Sequence, residues 1–309
     1  MPGKQGVRLP TILIPYPGPL LEPGIQDIFL YLRPETNGVL VESMLMRVIK
    51  GKSKYCSNCK IVYLANMPGD FILKNGIVEQ HYAVKIRFAR AGKKAFTEGM
   101  RRKFSSQFGV PFKTAPILGA FTALKRLGMH YEDLFKIWVP PENFRIIYGQ
   151  SIKLYQGYYI VNYDIPALLH KNSRKTDIAV MICRSGLSKA EYHTLVQEMG
   201  ERLIEEKVIT RDRPLARTFH YSRGPFEQVL DGIGYLYDNT GRHLPYSSLS
   251  FMRYLLENGC TQEQVLRAIK NPIMRFKTDA GIIEENIMSI TDDATYKEAL
   301  RLFRQRIAS

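Results

Sequence analysis

The stretch from Tyr82 to Gly109 constrains the fold of this chain more tightly than any other part of it. Tyr82, Val84, Ile86 and Phe88 alternate with Lys85 and Arg87, the period of two that puts one set of side chains on one face of a strand. After Arg90-Ala91-Gly92-Lys93-Lys94 the spacing changes to four. Phe96, Met100, Phe104 and Phe108 then line one side of a helix, which Gly109 and Pro111 close. From Lys85 to Lys103 there are eight cations (Lys85, Arg87, Arg90, Lys93, Lys94, Arg101, Arg102 and Lys103) against one acid, Glu98. The expectation is a strand and a helix that each keep an apolar side for a core and turn a basic side outward.

The charge is concentrated as well as large. The chain has a formal net charge of +15, with 44 Lys and Arg against 29 Asp and Glu. Residues 1–150 hold 22 cations and 10 acids (+12), whereas residues 151–309 hold 22 and 19 (+3). An excess gathered in one region favours polyanionic partners by long-range attraction. A length of 309 residues, 45% apolar and 24% charged, suits a globular protein of two domains. No apolar run reaches the ~18 residues of a membrane-spanning helix. Pro10, Pro15, Pro17, Pro19 and Pro23 interrupt the apolar core that a secretion signal needs, and four irregularly spaced cysteines do not make a disulfide framework. The expected location is cytoplasmic.

Along the chain, residues 1–24 read as a proline-rich extended arm in which Thr11–Ile14 can lie as a short edge strand. Ile25–Leu32 is ambiguous and Val39–Ile49 leans helical. Strands are expected at 61–64, 71–74 and from Ile77 into Phe88, with Asn75-Gly76 as a hairpin turn. Thr114 reads as an N-cap with Pro116 just inside, opening a helix that runs to Leu127 and stops at Gly128. A second short helix covers 131–137. Gln156-Gly157 turns a hairpin between 152–155 and 158–163, 177–183 is a strand, and Ser188 with Glu191 forms a capping box for a helix to about Glu206. Strand character at 215–221 gives way to helices at 225–237 and 249–258. Another helix is capped by Thr261, and a last one opens at Thr291.

Strands and helices mix without regular alternation, which makes the fold α+β: an antiparallel sheet with packed helices in the N-terminal half, and a second mixed α/β half ending in helices. The expected division is the arm over 1–24, a basic α+β domain over 25–145 and a second α+β domain with a helical C-terminus over 146–309.

Arg90-Ala91-Gly92-Lys93-Lys94 is the strongest candidate for a binding site. Lysines entering the first turn of a helix face the positive end of its dipole, and an anion bound at the exposed amides reverses that sign. The alternative is a helix starting near Thr97, with the lysines in a solvated loop. The spacing is not that of a P-loop. Cys56-Ser57-Asn58-Cys59 has the spacing of half a zinc site but lacks a second pair; zinc, a redox pair and two ordinary thiols are the readings it allows. Residues 115–138 have the outline of a helix-turn-helix, but Glu132 and Asp133 stand where a recognition helix meets phosphates, which favours a plain helical hairpin. Basic groups at 171–175 and at Arg211, Arg213 and Arg217 have aromatic neighbours, whose strand spacing favours half-buried sheet positions.

Three functions are compatible with these residues. A nucleic-acid-binding protein, with RNA or single strands favoured, would use Lys85, Arg87, Arg90, Gly92, Lys93, Lys94, Arg101, Arg102 and Lys103 against phosphate. A scaffolding protein would bind a protein partner or an anionic membrane surface. An enzyme acting on a phosphorylated small molecule would hold its phosphate at Gly92, Lys93 and Lys94. No catalytic motif is recognisable, which weighs against an enzyme, and zinc at Cys56 and Cys59 is the single cofactor the sequence suggests.

Overall fold

A computed structural model describes residues 6–33, 36–211, 215, 218–279 and 281–307. The fold is α+β, with one antiparallel sheet and one mixed sheet. Two compact units alternate along the chain. The first comprises 1–77, 173–269 and 291–304, the second 78–172, 270–290 and 305–309. Residues 140–150 therefore lie inside the second unit, where Phe144–Ile147 pairs with Gln150–Tyr155.

In the first unit five strands pair in the order Thr11–Ile14, Cys59–Met67, Ile178–Ser185, Gln26–Leu32, Phe219–Tyr221. All neighbours are antiparallel. The sheet is covered on both faces. Leu30, Leu32, Leu64, Met181 and Cys183 pack against Val41, Leu45, Leu195 and Met199 of the helices Val39–Gly51 and Lys189–Glu205. Tyr31 lies tilted at 4.9 Å against Tyr235 of the helix Pro225–Tyr235, where Phe226 meets Phe251 and Phe303 at 5.2 and 5.1 Å.

The proline-rich arm is fastened to this unit. Tyr16 Oη donates to Asp27 Oδ2 (2.6 Å), Arg184 donates to the Gly18 carbonyl (2.7 Å), and the Leu20 amide donates to Ser250 Oγ (3.0 Å). Thr11–Ile14 forms the edge strand its sequence suggests.

The Ser188 capping box is complete and holds the Glu191 carboxyl down to about 2, through the Ser188 amide and hydroxyl first and Lys54 after them. This depressed carboxyl stabilises the fold above its ordinary value of 4.5, and that stabilisation is lost as the pH falls towards 2. Ser188→Ala is expected to lower stability by about 1 kcal/mol in urea titrations at neutral pH. A loss of under a few tenths would show that the cap contributes nothing.

In the second unit the strands run Ile117–Gly119, Tyr158–Val161, Gln150–Tyr155, Phe144–Ile147. The first pair is parallel and the others antiparallel. Here the expected strand through Tyr82–Phe88 is instead a helix, Ala83–Ala91. Its alternation has a physical origin. Residues two apart on a helix point nearly opposite ways, and this helix lies between two apolar clusters. Val84 and Phe88 pack with Phe96, Phe104 and Ile152, while Tyr82, Ile86 and Ala89 pack with Ala120, Leu134 and Ile160. Burial on two sides gives a helix the pattern of a strand.

Asn75-Gly76 likewise ends a helix, Gly69–Lys74, rather than turning a hairpin. The Asn75 and Gly76 amides donate to the Phe71 and Leu73 carbonyls, and Gly76 is left-handed at φ 58°. The helix expected from Thr114 begins at Ala120, after the strand Ile117–Gly119. The last helix, Tyr296–Arg304, opens four residues later than Thr291: Thr295 and Glu298 cap it, and Thr291 itself is buried.

Candidate nucleic-acid interface

Three short segments of the second unit meet at the basic region. The first is the helix Glu98–Phe108. Met100 and Phe104 are buried, whereas Arg101 and Arg102 are exposed. Thr97 is its N-cap, with Oγ1 accepting the Met100 amide at 3.2 Å. The anion at this helix start is the chain's own. Thr97 Oγ1 donates to Glu284 Oε1, and the same carboxylate lies so close to Gly99 that a Cβ there would be 2.4 Å from it. Glu98 adds a second acid in the first turn.

The second segment is a tight turn, Gly92–Ala95, directly after Ala91. Gly92 is buried at φ 53°, and a Cβ on it would lie 2.5 Å from the Gly119 amide nitrogen. Its glycine is required by close backbone approach and left-handed φ, with no open amide cradle around it. The turn sends Lys93 across to the third segment, where Nζ donates to the Lys113 and Ala115 carbonyls at 2.8 and 2.9 Å. Lys94 is exposed.

The third segment is Pro111–Ala115, turned by hydrogen bonds from the Thr114 and Ala115 amides to the Pro111 carbonyl. It folds back on the helix, and the Phe112 amide donates to Ser105 Oγ at 2.9 Å. The Phe112 ring is half-buried, tilted on Phe96 at 5.2 Å and edge-on to Phe104 at 5.6 Å. Lys93 Nζ and Arg101 Cζ stand 5.3 and 5.6 Å from its centroid.

Together these segments surround an open recess of about 910 Å³ lined by Lys93, Lys94, Arg101, Arg102, Ser105, Phe112 and Lys113. Ligand-binding clefts run from about 300 to 1,000 Å³. No carboxylate is among the described residues that line it; Glu98 reaches its edge through the ion pair with Arg102.

Of the residues singled out in the sequence, Lys93, Lys94, Arg101 and Arg102 come together at the recess. The others do not. Lys85 is half-buried on the helix Ala83–Ala91, and its carbonyl accepts the Asn162 side-chain amide at 2.9 Å. Arg87 reaches Asn271 at 3.4 Å, and Arg90 lies over Phe121 at 5.9 Å. Lys103 pairs with Glu285 at 3.0 Å and caps the Tyr148 ring at 4.6 Å. Ser105, Phe112 and Lys113 are the lining residues that sequence reasoning missed. The available signal was Phe112 itself, an aromatic between a helix-ending Gly109-Val110-Pro111 and Lys113.

Cys56 is exposed on the helix Ser53–Asn58, whereas Cys59 is buried at the start of the adjoining strand. Cys59 and Cys183 on the neighbouring strand are both free thiols, and a hydrogen bond between them pulls the pKa of Cys59 down and pushes that of Cys183 up. Among the described residues no group of three or more His, Cys, Asp or Glu side chains is placed to hold a metal ion. The hairpin at 150–163 leaves Tyr159 buried, and Phe219 is buried in its strand, as sheet positions favour. Arg213 and Arg217 lie outside the described residues. No helix among the described residues is long and apolar enough to cross a membrane.

No family model matches this chain, and neither the curated proteins nor the solved structures contain a match to it.

Proposed function

We propose that this protein binds nucleic acid, with RNA or single strands favoured, through the recess between Lys93, Arg101 and Lys113. The observation that carries this reading is the lining itself: five cations and one half-buried aromatic ring around a single open concavity. Cations at such a surface neutralise phosphates and release their counterions. Acid-base or nucleophilic chemistry has little support here. Ser105 is the one hydroxyl among the described residues of the lining, and its oxygen accepts the Phe112 amide.

Fluorescence anisotropy of a labelled single-stranded RNA across a salt series tests the reading, with duplex DNA and anionic lipid vesicles alongside. Submicromolar binding at low salt is expected, falling steeply as salt is added. The double variant Arg101→Ala, Arg102→Ala is expected to bind at least about tenfold more weakly, with a log–log salt slope shallower by about 1.4 for a single strand. An unchanged slope in the double variant, or binding to vesicles alone, would remove this function.

A further inference from the structure

We infer that the recess is also a specific site for an oligophosphate, a chain of anhydride-linked phosphates either free or carried at the 5′ end of an RNA. This goes beyond the nucleic-acid reading, although it uses the same recess. The cations of the lining are of two kinds. Lys93 and Arg101 are pinned by main-chain carbonyls: Lys93 Nζ donates to Lys113 and Ala115 at 2.8 and 2.9 Å, and Arg101 Nε donates to Phe96 at 3.2 Å. Both stand over the Phe112 ring, 5.3 and 5.6 Å from its centroid, so they place charge rather than a bare ring at this part of the lining. Lys94, Arg102 and Lys113 are exposed around them.

Pinned cations suit this ligand for an energetic reason. A side chain already tied down loses little rotamer freedom when an anion arrives, whereas a free lysine or arginine must first be ordered. The pinning bonds also leave donors over, one N–H on the Lys93 ammonium and the terminal nitrogens of the Arg101 guanidinium. An oligophosphate brings several charges within the span of one recess, so it can meet pinned and free cations together. Phosphates inside a strand carry one charge each and are spaced along a backbone, and fewer of them fit the same concavity. The one acid at the recess, Glu98, stands at the edge in its pair with Arg102 and leaves the interior positive.

The test uses the full chain at one fixed ionic strength. The probes are inorganic tripolyphosphate, inorganic monophosphate and one single-stranded RNA made with either a 5′-triphosphate or a 5′-hydroxyl. Calorimetry is expected to give a single tripolyphosphate per chain, bound at least about tenfold more tightly than monophosphate, because linked phosphates bind after the first without a new loss of freedom. Arg101→Lys keeps the charge but lacks the Nε–H that bonds the Phe96 carbonyl. It is expected to lose about threefold or more in tripolyphosphate affinity while binding the 5′-hydroxyl RNA as wild type does. A 5′-triphosphate RNA bound several-fold more tightly than its 5′-hydroxyl twin supports the site and assigns it to a strand end. Equal binding of the twins, with tripolyphosphate still bound once per chain, supports it and assigns it to a free oligophosphate. Tripolyphosphate that binds no better than monophosphate, or in several copies per chain, would overturn the inference, as would an Arg101→Lys that binds it like wild type. Those results leave RNA binding through the exposed cations standing. A protein that binds tripolyphosphate but neither RNA loses the nucleic-acid reading and keeps this site.

Discussion

Replacing Asp27 with alanine is expected to destabilise the first unit by about 3–5 kcal/mol, the cost of leaving one member of a buried ion pair without the other. Asp27 is 4% exposed and accepts from four donors: Arg184 Nε at 2.7 Å and a terminal nitrogen at 2.9 Å, Tyr16 Oη at 2.6 Å and Ser250 Oγ at 2.6 Å. Arg184 lies on the central strand of the five-stranded sheet and its side chain is only 15% exposed, so its charge is poorly solvated once the carboxylate is gone. Burial, and then the charge of Asp27, also push the Tyr16 hydroxyl well above its ordinary value, which keeps it a neutral donor.

The same carboxylate fastens the arm. Its loss should loosen the arm residues and raise hydrogen exchange at the strand amides beside Arg184. Ser250→Ala removes one donor and leaves the pair, at a cost of about 1 kcal/mol. Urea unfolding followed by circular dichroism, with exchange to localise the effect, checks both. A loss below 1 kcal/mol for Asp27→Ala would mean that the network is not the clasp of this unit.

Gly119→Ala is expected to cost the second unit about 3 kcal/mol, at the upper end of overpacking effects. Gly119 has an ordinary φ of −73°, so the backbone conformation would suit any residue. The objection is steric. A Cβ would lie 2.3 Å from the Ala89 carbonyl oxygen and 2.8 Å from its carbon, and neither is a side-chain end that can swing aside. The helix Ala83–Ala91 would have to move off the strand Ile117–Gly119.

That displacement has a functional consequence. The turn Gly92–Ala95 leaves the end of this helix, and Lys93 spans from it to Lys113 and Ala115. Gly119→Ala should therefore weaken the proposed RNA binding more than the loss of one phosphate contact does, although no charge is changed. Thermal melts and the anisotropy titration measure the two effects. A variant that melts like wild type would show that Gly119 and the Ala89 carbonyl are not in close contact.

The elements legible in the sequence are those whose signals are local. Ser188 and Glu191 cap their own helix, Gln156-Gly157 turns its own hairpin, and Gly109 and Gly128 stop helices in left-handed conformations. Misreadings arose where a local pattern had two tertiary causes. The alternation through Tyr82–Phe88 reflects burial on opposite sides of a helix, which a strand with one buried face imitates. Asn-Gly supplies a left-handed residue equally well to a hairpin or to a helix end, and the helix Gly69–Lys74 used it for the second purpose.

The site divides in the same manner. Arg101 and Arg102 were readable because Met100 and Phe104 fix which side of the helix Glu98–Phe108 is inward. The return of Pro111–Ala115 over Ser105 depends on the Phe96–Phe104–Phe112 packing, which no spacing announces.

By itself the amino-acid sequence determined an α+β chain whose positive charge is concentrated in its first half and lies outside an apolar helix face. Charge adds residue by residue, and helix periodicity acts over a few turns, so both are present before any long-range contact forms. Only the tertiary structure decided that Glu284 takes the anion position at the start of that helix, and that Lys93, Lys94, Arg101, Arg102 and Lys113 open on one recess while Lys85, Arg87, Arg90 and Lys103 turn elsewhere. Convergence of side chains from separate segments is set by how the apolar clusters beneath them pack, and that packing is a property of the whole fold.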